Sequence, residues 1–405
     1  MFSRSAIHSK ILHLRKLAKA STGVRAMSTA ASEPKVLTEY LNKNVFEFTL
    51  NNPKTLNSLD SDMIEILWQQ IRKWENNQEE TPRVVFMKGA GGKAFCAGGD
   101  IVSIYKGGQE EPRSKVCAEF FYKEYIVDYA LTQMDPIQIS IWNGIVMGGG
   151  VGVSCHSPIR IATEKSVYAM PETAIGFFTD VGGSYFLARL KDNISNGLFL
   201  GLTGHRLKAK DLLKWGVATN YIETSNLPSL YEDVLKHTNK DSKFEEIKEI
   251  VDSHSDTTLE GEEIPEETIN YCFKPSSVHN IINRLTEVSE GKVDGLDSGL
   301  ASKWLKTIRR YSPISCGVVT EQILRGKSMT LDDVFKMEYK ISQRFMEHGE
   351  FFEGVRALLI DKDQSPKWRH SAIEEVTQEE IDTFFNRDEE LDLDLPNLYK
   401  NDIHM

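Results

Sequence analysis

The sequence predicts an α/β fold with mostly parallel strand pairing. A strand, a glycine-rich turn and a helix follow one another twice, a succession that lays helices against a parallel sheet. Each turn closes an apolar strand, where glycine leaves backbone N–H groups open at a helix start. Beyond about residue 225 the character becomes helical and acidic.

In chain order, Val45-Phe-Glu-Phe-Thr-Leu50 alternates apolar with polar residues and enters Asn51-Asn-Pro-Lys-Thr55, which reads as a strand and its turn. Asp60 or Ser61 can cap a helix in which Met63, Ile64, Leu67, Ile71 and Trp74 return every three or four positions. Val84-Val-Phe-Met87 is a short buried-type strand running into the glycine-rich turn from Lys88 to Asp100, and helical spacing resumes at Ile101. Ile137, Ile139 and Ile141 form the second strand, Asn143-Gly144 breaks it, and Met147-Gly-Gly-Gly150 leads into another helix. Between Phe244 and Glu267 stand ten acids and one lysine, interrupted by Gly261 and Pro265, which reads as a solvated connection or insertion. Trp304, Ile308 and Tyr311 restore amphipathic helical spacing, and the Asp- and Leu-rich end reads as a frayed tail.

The 405 residues carry 48 Lys+Arg against 59 Asp+Glu, a formal charge of −11, with 40% apolar and 26% charged residues. These ordinary globular values argue against a collagenous, wholly disordered or membrane-embedded chain. A net negative surface disfavours direct binding of nucleic acid. The cysteines, Cys96, Cys117, Cys155, Cys272 and Cys316, are odd in number and include no Cys-x-x-Cys pair, so neither a disulfide framework nor a thiolate metal site is expected. The uncharged stretch from Pro136 to Ile159 has spanning length, but Gln138, Asn143, the triple glycine and His156 mark it as soluble core, and no membrane span is expected.

Residues 1–32 hold Arg4, Lys10, Arg15, Lys16, Lys19 and Arg25 and no acid before Glu33. Ile7, Ile11, Leu14 and Leu17 recur at helical spacing between them. This is the make-up of a mitochondrial transit peptide; a disordered basic tail is the alternative.

Candidate chemistry lies in three segments. In Phe95-Cys-Ala-Gly-Gly-Asp100, Asp100 can cap the next helix and leave the Gly99 amide pointing at a developing negative oxygen. Gly148-Gly149-Gly150 can offer a second donor, although a glycine cluster can also be no more than a tight connection. Glu172 and Asp180 stand eight residues apart, flanked by Ile175, Phe177 and Phe178, an apolar setting that can drive two carboxyl pKa values apart. Their structural alternatives are a surface acid and a helix cap. Cys96 reads as a small buried hydrophobe rather than a nucleophile, and His156 as a structural histidine rather than a base. No Gly-x-Ser-x-Gly elbow is present.

Asn52-Pro-Lys, Leu56-Asn57, Phe95 to Asp100, Asn143-Gly144 with Gly148-Gly-Gly150, Pro171-Glu172 with Gly176, and Gly182-Gly183 follow one order and spacing. In them the chain resembles the enoyl-CoA hydratase/isomerase, or crotonase, superfamily. Val146 to Gly152, Ala169 to Gly176, Asp180-Val-Gly-Gly183 and the segment from Glu353 to Trp368 are similar to its 3-hydroxyisobutyryl-CoA hydrolase group.

The resemblance implies a crotonase-like spiral of repeated ββα units over residues 36–225; composition and spacing add an acidic helical insertion or linker over 226–300, a helical C-terminal region over 301–390 and a flexible tail over 391–405. It implies Gly99 and Gly149 as an oxyanion hole, Glu172 and Asp180 as catalytic acids, and Glu124, Gly149, Glu172 and Asp180 as substrate-binding residues. The implied reaction is hydrolysis of 3-hydroxyisobutyryl-CoA in valine breakdown within the mitochondrial matrix, with no metal and no cofactor, since CoA enters as part of the substrate. Related hydratases carry a second glutamate shortly after the triple glycine, where this chain has Gly152, so hydratase chemistry is demoted. An isomerase, and a structural component of the mitochondrial small ribosomal subunit, are the alternative functions.

Overall fold

The structure, a computed structural model, describes residues 33–109, 113–258, 265–386 and 392–396. The expected transit peptide at 1–32, and tail residues 391 and 397–405, lie outside the described residues.

Two sheets are wound from strands that alternate between them. The larger has the order β1 (Val36–Asn42), β2 (Val45–Leu50), β3 (Val84–Gly89), β5 (Ile137–Trp142), β7 (Ile159–Ala162), β10 (Asn220–Tyr221). The smaller has the order β4 (Ala94–Cys96), β6 (Ile145–Met147), β8 (Val167–Ala169), β9 (Leu207–Lys208). Pairings are parallel except for β1 with β2 and β8 with β9. Each successive pair β3–β4, β5–β6 and β7–β8 therefore gives one strand to each sheet before the chain turns into helix. This is the repeated ββα spiral that the motifs imply.

The predicted strands at 45–50 and 137–141 are present, but their polar positions are not solvent-facing. All six residues of β5 are buried, because a central parallel strand is covered on both faces. Ile137, Ile139 and Ile141 join Val45, Val84 and Phe86 in one apolar cluster, while Gln138 on the opposite face donates to the Val153 carbonyl at 2.8 Å. The cover over the Ile137 face is the acidic region itself. Helices Leu227–His237 and Phe244–His254 set Leu230, Val234, Ile247 and Val251 into that cluster and turn Glu245, Glu246 and Glu249 outward. The segment is thus a solvated surface on one side and a lid over the sheet on the other. Residues 259–264 of it lie outside the described residues.

The C-terminal helices hold the loop after β8. Gln322 on helix Pro313–Gly326 donates to the Thr179 carbonyl at 2.6 Å, and Glu338 on helix Leu331–His348 accepts from the amides of Gly182 at 2.6 Å and Ser184 at 2.8 Å. Glu338 thereby caps helix Gly183–Leu187 from across the molecule. Helix Glu350–Val355 lies so close that a Cβ on Gly354 would stand 2.2 Å from the Ile175 carbonyl oxygen. In the described part of the expected tail, Leu393 is buried in the main core.

Gly354→Ala is expected to lift that helix off the Ile175 backbone and destabilise the fold by about 1–3 kcal/mol, as overpacking does. A urea midpoint equal to that of the unaltered chain would refute so close a contact.

Candidate active site

Gly99 is exposed as a donor by the way its loop is zipped. Ala97 donates to the Leu56 carbonyl at 3.1 Å, Leu59 to the Gly98 carbonyl at 2.8 Å, and Asp100 to the Leu59 carbonyl at 2.7 Å. The Gly99 amide, between them, makes no backbone bond among the described residues. Leu56 and Asn57 hold the other side of this zipper with φ of 57° and 59°. Asn57 is kept there because its side chain donates to the carbonyls of Ala90 at 3.0 Å and Ala94 at 2.9 Å. As expected, Asp100 caps its helix, accepting from Ser103 N at 3.2 Å.

The second glycine turn abuts the first. A Cβ on Gly149 would stand 3.3 Å from the Gly99 amide nitrogen and 2.5 Å from Glu124 Oε1, and one on Gly150 would stand 2.4 Å from the Cys96 carbonyl oxygen. Only glycine lets these two backbones meet. On the other side, a Cβ on Gly148 would lie 3.2 Å from Glu172 Oε1 and 3.4 Å from Gly98 Cα. Gly99, Gly149, Glu124 and Glu172 therefore surround one junction.

Asp180 joins through Tyr125, whose hydroxyl donates to Asp180 Oδ2 at 2.8 Å. Among the described residues its own side chain caps no helix. The helix that follows begins at Gly183 and takes its cap from Glu338 instead. Glu124, Glu172 and Asp180 are 2%, 6% and 5% exposed, which rules out the surface-acid alternative for Glu172. Burial dominates their acidity. It drives Glu172 and Glu124 well above the usual carboxyl range, each helped by the nearby charge of Asp180. Asp180 is pushed up to about 7 by burial, against the lowering effect of the Tyr125 hydroxyl and a backbone amide. Cys96 and His156 are buried, in keeping with the structural roles read from the sequence: burial lifts the Cys96 thiol to about 12 and lowers His156 to about 4.

Beside this junction a hollow of about 460 Å³ is lined by Asp60, Asp100, Ser103, Phe120 and Lys123 among others, and the Phe120 ring also lies 3.4 Å from where a Gly99 Cβ would be. Lys54 and Lys93 line a second hollow of about 230 Å³ with Leu56 and Asn57. Lys88 is instead paired with Glu47 at 2.7 Å.

Three buried groups escaped the sequence reading: Tyr125, Asp128 and Glu338. A signal for two of them was available, since Tyr125 and Asp128 follow Glu124 in helix Arg113–Gln133, where Asp128 is the one charged residue between Tyr125 and Leu131. Glu338 gives none, because its partners are about 155 positions away in sequence.

A profile of the enoyl-CoA hydratase/isomerase family matches residues 45–385. The chain belongs to the enoyl-CoA hydratase/isomerase family. Its similarity to curated members is substantial: it is 43% identical over 343 residues to the mitochondrial 3-hydroxyisobutyryl-CoA hydrolase of Homo sapiens, covering 83% of this chain and 85% of that one. The protein of the same name from Danio rerio is 41% identical over 353 residues, 86% of this chain and 88% of that one. Among solved structures of the hydratase/isomerase fold, a carnitinyl-CoA dehydratase from Mycobacterium thermoresistibile matches with a TM-score of 0.77 at 29% identity, covering 90% of this chain and 99% of that one. An enoyl-CoA hydratase from Rhodobacter sphaeroides 2.4.1 matches with a TM-score of 0.73 at 29% identity, over 89% and 100%. Among the described residues no helix is long and apolar enough to cross a membrane.

The raised pKa of Asp180 fixes a sign. Its ordinary value of 3.8 moves to about 7 on folding, so between these values the folded chain retains a proton that the unfolded chain has lost. Stability contributed by this group therefore falls as pH rises through that window. Thermal unfolding is expected at higher temperature near about pH 5 than near about pH 8, with a smaller difference in Asp180→Asn; an equal difference in both proteins would contradict it.

Proposed function

We propose that the chain is an acyl-CoA thioester hydrolase that cleaves 3-hydroxyisobutyryl-CoA, a short branched 3-hydroxyacyl thioester, to the free acid and CoA in valine catabolism. The observation that carries the reaction class is the abutment of the Gly99 and Gly149 turns between buried carboxyl groups. The substrate is that named for relatives aligned over more than four-fifths of both chains.

In this reading the thioester oxygen accepts hydrogen bonds from the Gly99 and Gly149 amides, and these strengthen as negative charge gathers on it. Loss of one such donor typically costs about 3–4 kcal/mol of barrier lowering. Glu172, beside the same junction, attacks the acyl carbon or removes a proton from the water that does. By the first route the C–S bond breaks as an anhydride forms between the acyl group and Glu172, and water then cleaves that anhydride to release the acid and restore the carboxylate; by the second, water oxygen joins the acyl carbon directly as the C–S bond breaks. The departing thiolate needs a proton, and Asp180 holds one near neutrality. Glu124, at the Gly149 turn, serves substrate binding. Lys54 and Lys93, sharing one hollow, are the cations best supported for the CoA phosphates.

Addition of water across a double bond is less well supported. A side chain at position 152 has no space, since its Cβ would stand 2.6 Å from both Asp128 Oδ2 and Val181 Cβ. The curated relatives likewise favour hydrolysis over the isomerase, hydratase and ribosomal readings. They are named mitochondrial, and the basic, acid-free amino end supports import into the matrix.

The test is thiol release from a panel of acyl-CoA esters. The unaltered chain is expected to prefer branched 3-hydroxyacyl esters, with Glu172→Gln at least about a hundredfold slower and Asp180→Asn at least about tenfold slower, in the range of lost acid–base groups. Equal rates for the unaltered chain and both variants would remove these residues from the chemistry.

A further inference from the structure

Helix Arg113–Gln133 lies along helix Gly149–Cys155, and two of its acids face two glycines of that neighbour. Glu124 Oε1 stands 2.5 Å from where a Gly149 Cβ would be, and Asp128 Oδ2 stands 2.6 Å from where a Gly152 Cβ would be. The acids are four residues apart and the glycines three, so one helical turn separates each pair and the carboxyl groups share a face. Asp128 is fully buried, and neither of its oxygens has a hydrogen-bond partner among the described residues; Glu124 Oε1 also has none.

Two carboxyl groups one turn apart in a dry setting cannot both ionise readily, and a proton shared by such a pair would satisfy one oxygen of each. Resting on the thioesterase reading, we propose that Asp128 is a positioning residue that shares a proton with Glu124 and so holds the Glu124 carboxylate at the Gly149 turn with one negative charge on the pair. The surroundings agree. Charges facing Asp128 come from Glu124 on its own helix, Asp180 on the loop after β8 and Glu338 on helix Leu331–His348, all of them acids. The thiols of Cys96 and Cys155 also lie within its field, and both are pushed up by burial and so are neutral. Burial, with Glu124 the first of the neighbouring charges, drives Asp128 well above the usual carboxyl range.

Infrared spectroscopy of the purified full chain reads this without substrate. The unaltered chain at neutral pH is expected to show a protonated-carboxyl C=O band that Asp128→Asn removes and that Glu124→Gln shifts. A band unmoved by Glu124→Gln, or unaffected by Asp128→Asn, overturns the sharing. Kinetics supply the second arm. Asn can still donate to Glu124, so Asp128→Asn is expected to keep kcat/KM for the hydroxyacyl thioester within about threefold, whereas Asp128→Val, which cannot, loses about tenfold or more, mostly in KM. Equal kcat/KM in the two variants overturns the positioning role. Should the unaltered chain release no thiol from any ester, the thioesterase reading fails, while the infrared result still decides the shared proton.

Discussion

Glu124, Asp128, Glu172 and Asp180 are all buried, and among the described residues the charges that bear on their acidity are those of other acids. Ionising all four together in so dry a volume is prohibitive, and burial accordingly raises the pKa of each. Hydrogen bonding opposes burial at one of them. Among the described residues a side-chain hydroxyl reaches Asp180, from Tyr125, and works against burial, which leaves the pKa at about 7. Asp180 therefore exchanges its proton near neutral pH, and all four acids depend on where the backbone places them.

That placement depends on the absence of side chains. Gly148, Gly149 and Gly152 are each pressed by a carboxyl oxygen at a distance that no Cβ could tolerate without movement of its neighbour. Gly148, Gly149 and Gly150 also admit the backbone of the Cys96–Gly99 turn. The same glycines therefore bring two amides together and make room for the acids. The two demands coincide because the ββα spiral stacks β4 beside β6, so both glycine turns emerge at one end of the smaller sheet.

The strand, turn and helix succession was legible in the sequence because its punctuation is local: Asn143-Gly144, the triple glycine and the apolar alternation of Ile137, Ile139 and Ile141 all act within a few residues. Gly99, Gly149, Glu124, Glu172 and Asp180 were named from motifs, and the fold brings them to one junction. What local patterning could not supply was partnership over distance. The acidic run at 244–254 looks like a solvated stretch until its Ile247 and Val251 meet β5, more than a hundred positions earlier. Glu338 looks like any helix-surface acid until it reaches the amides of Gly182 and Ser184. Asp128 passes as one charge in a helix until Gly152 is seen to make space for it.

The reach of Glu338 carries a genetic implication. Every motif that marks the family up to Gly183 is encoded upstream of it, yet the segment bearing Glu172 and Asp180 is moored by Gln322, Glu338 and the backbone around Glu350 and Gly354. A premature stop codon anywhere between residues 225 and 320 would leave a transcript that still reads as a complete catalytic domain, while its translated product lacked the ties that hold its acids in place.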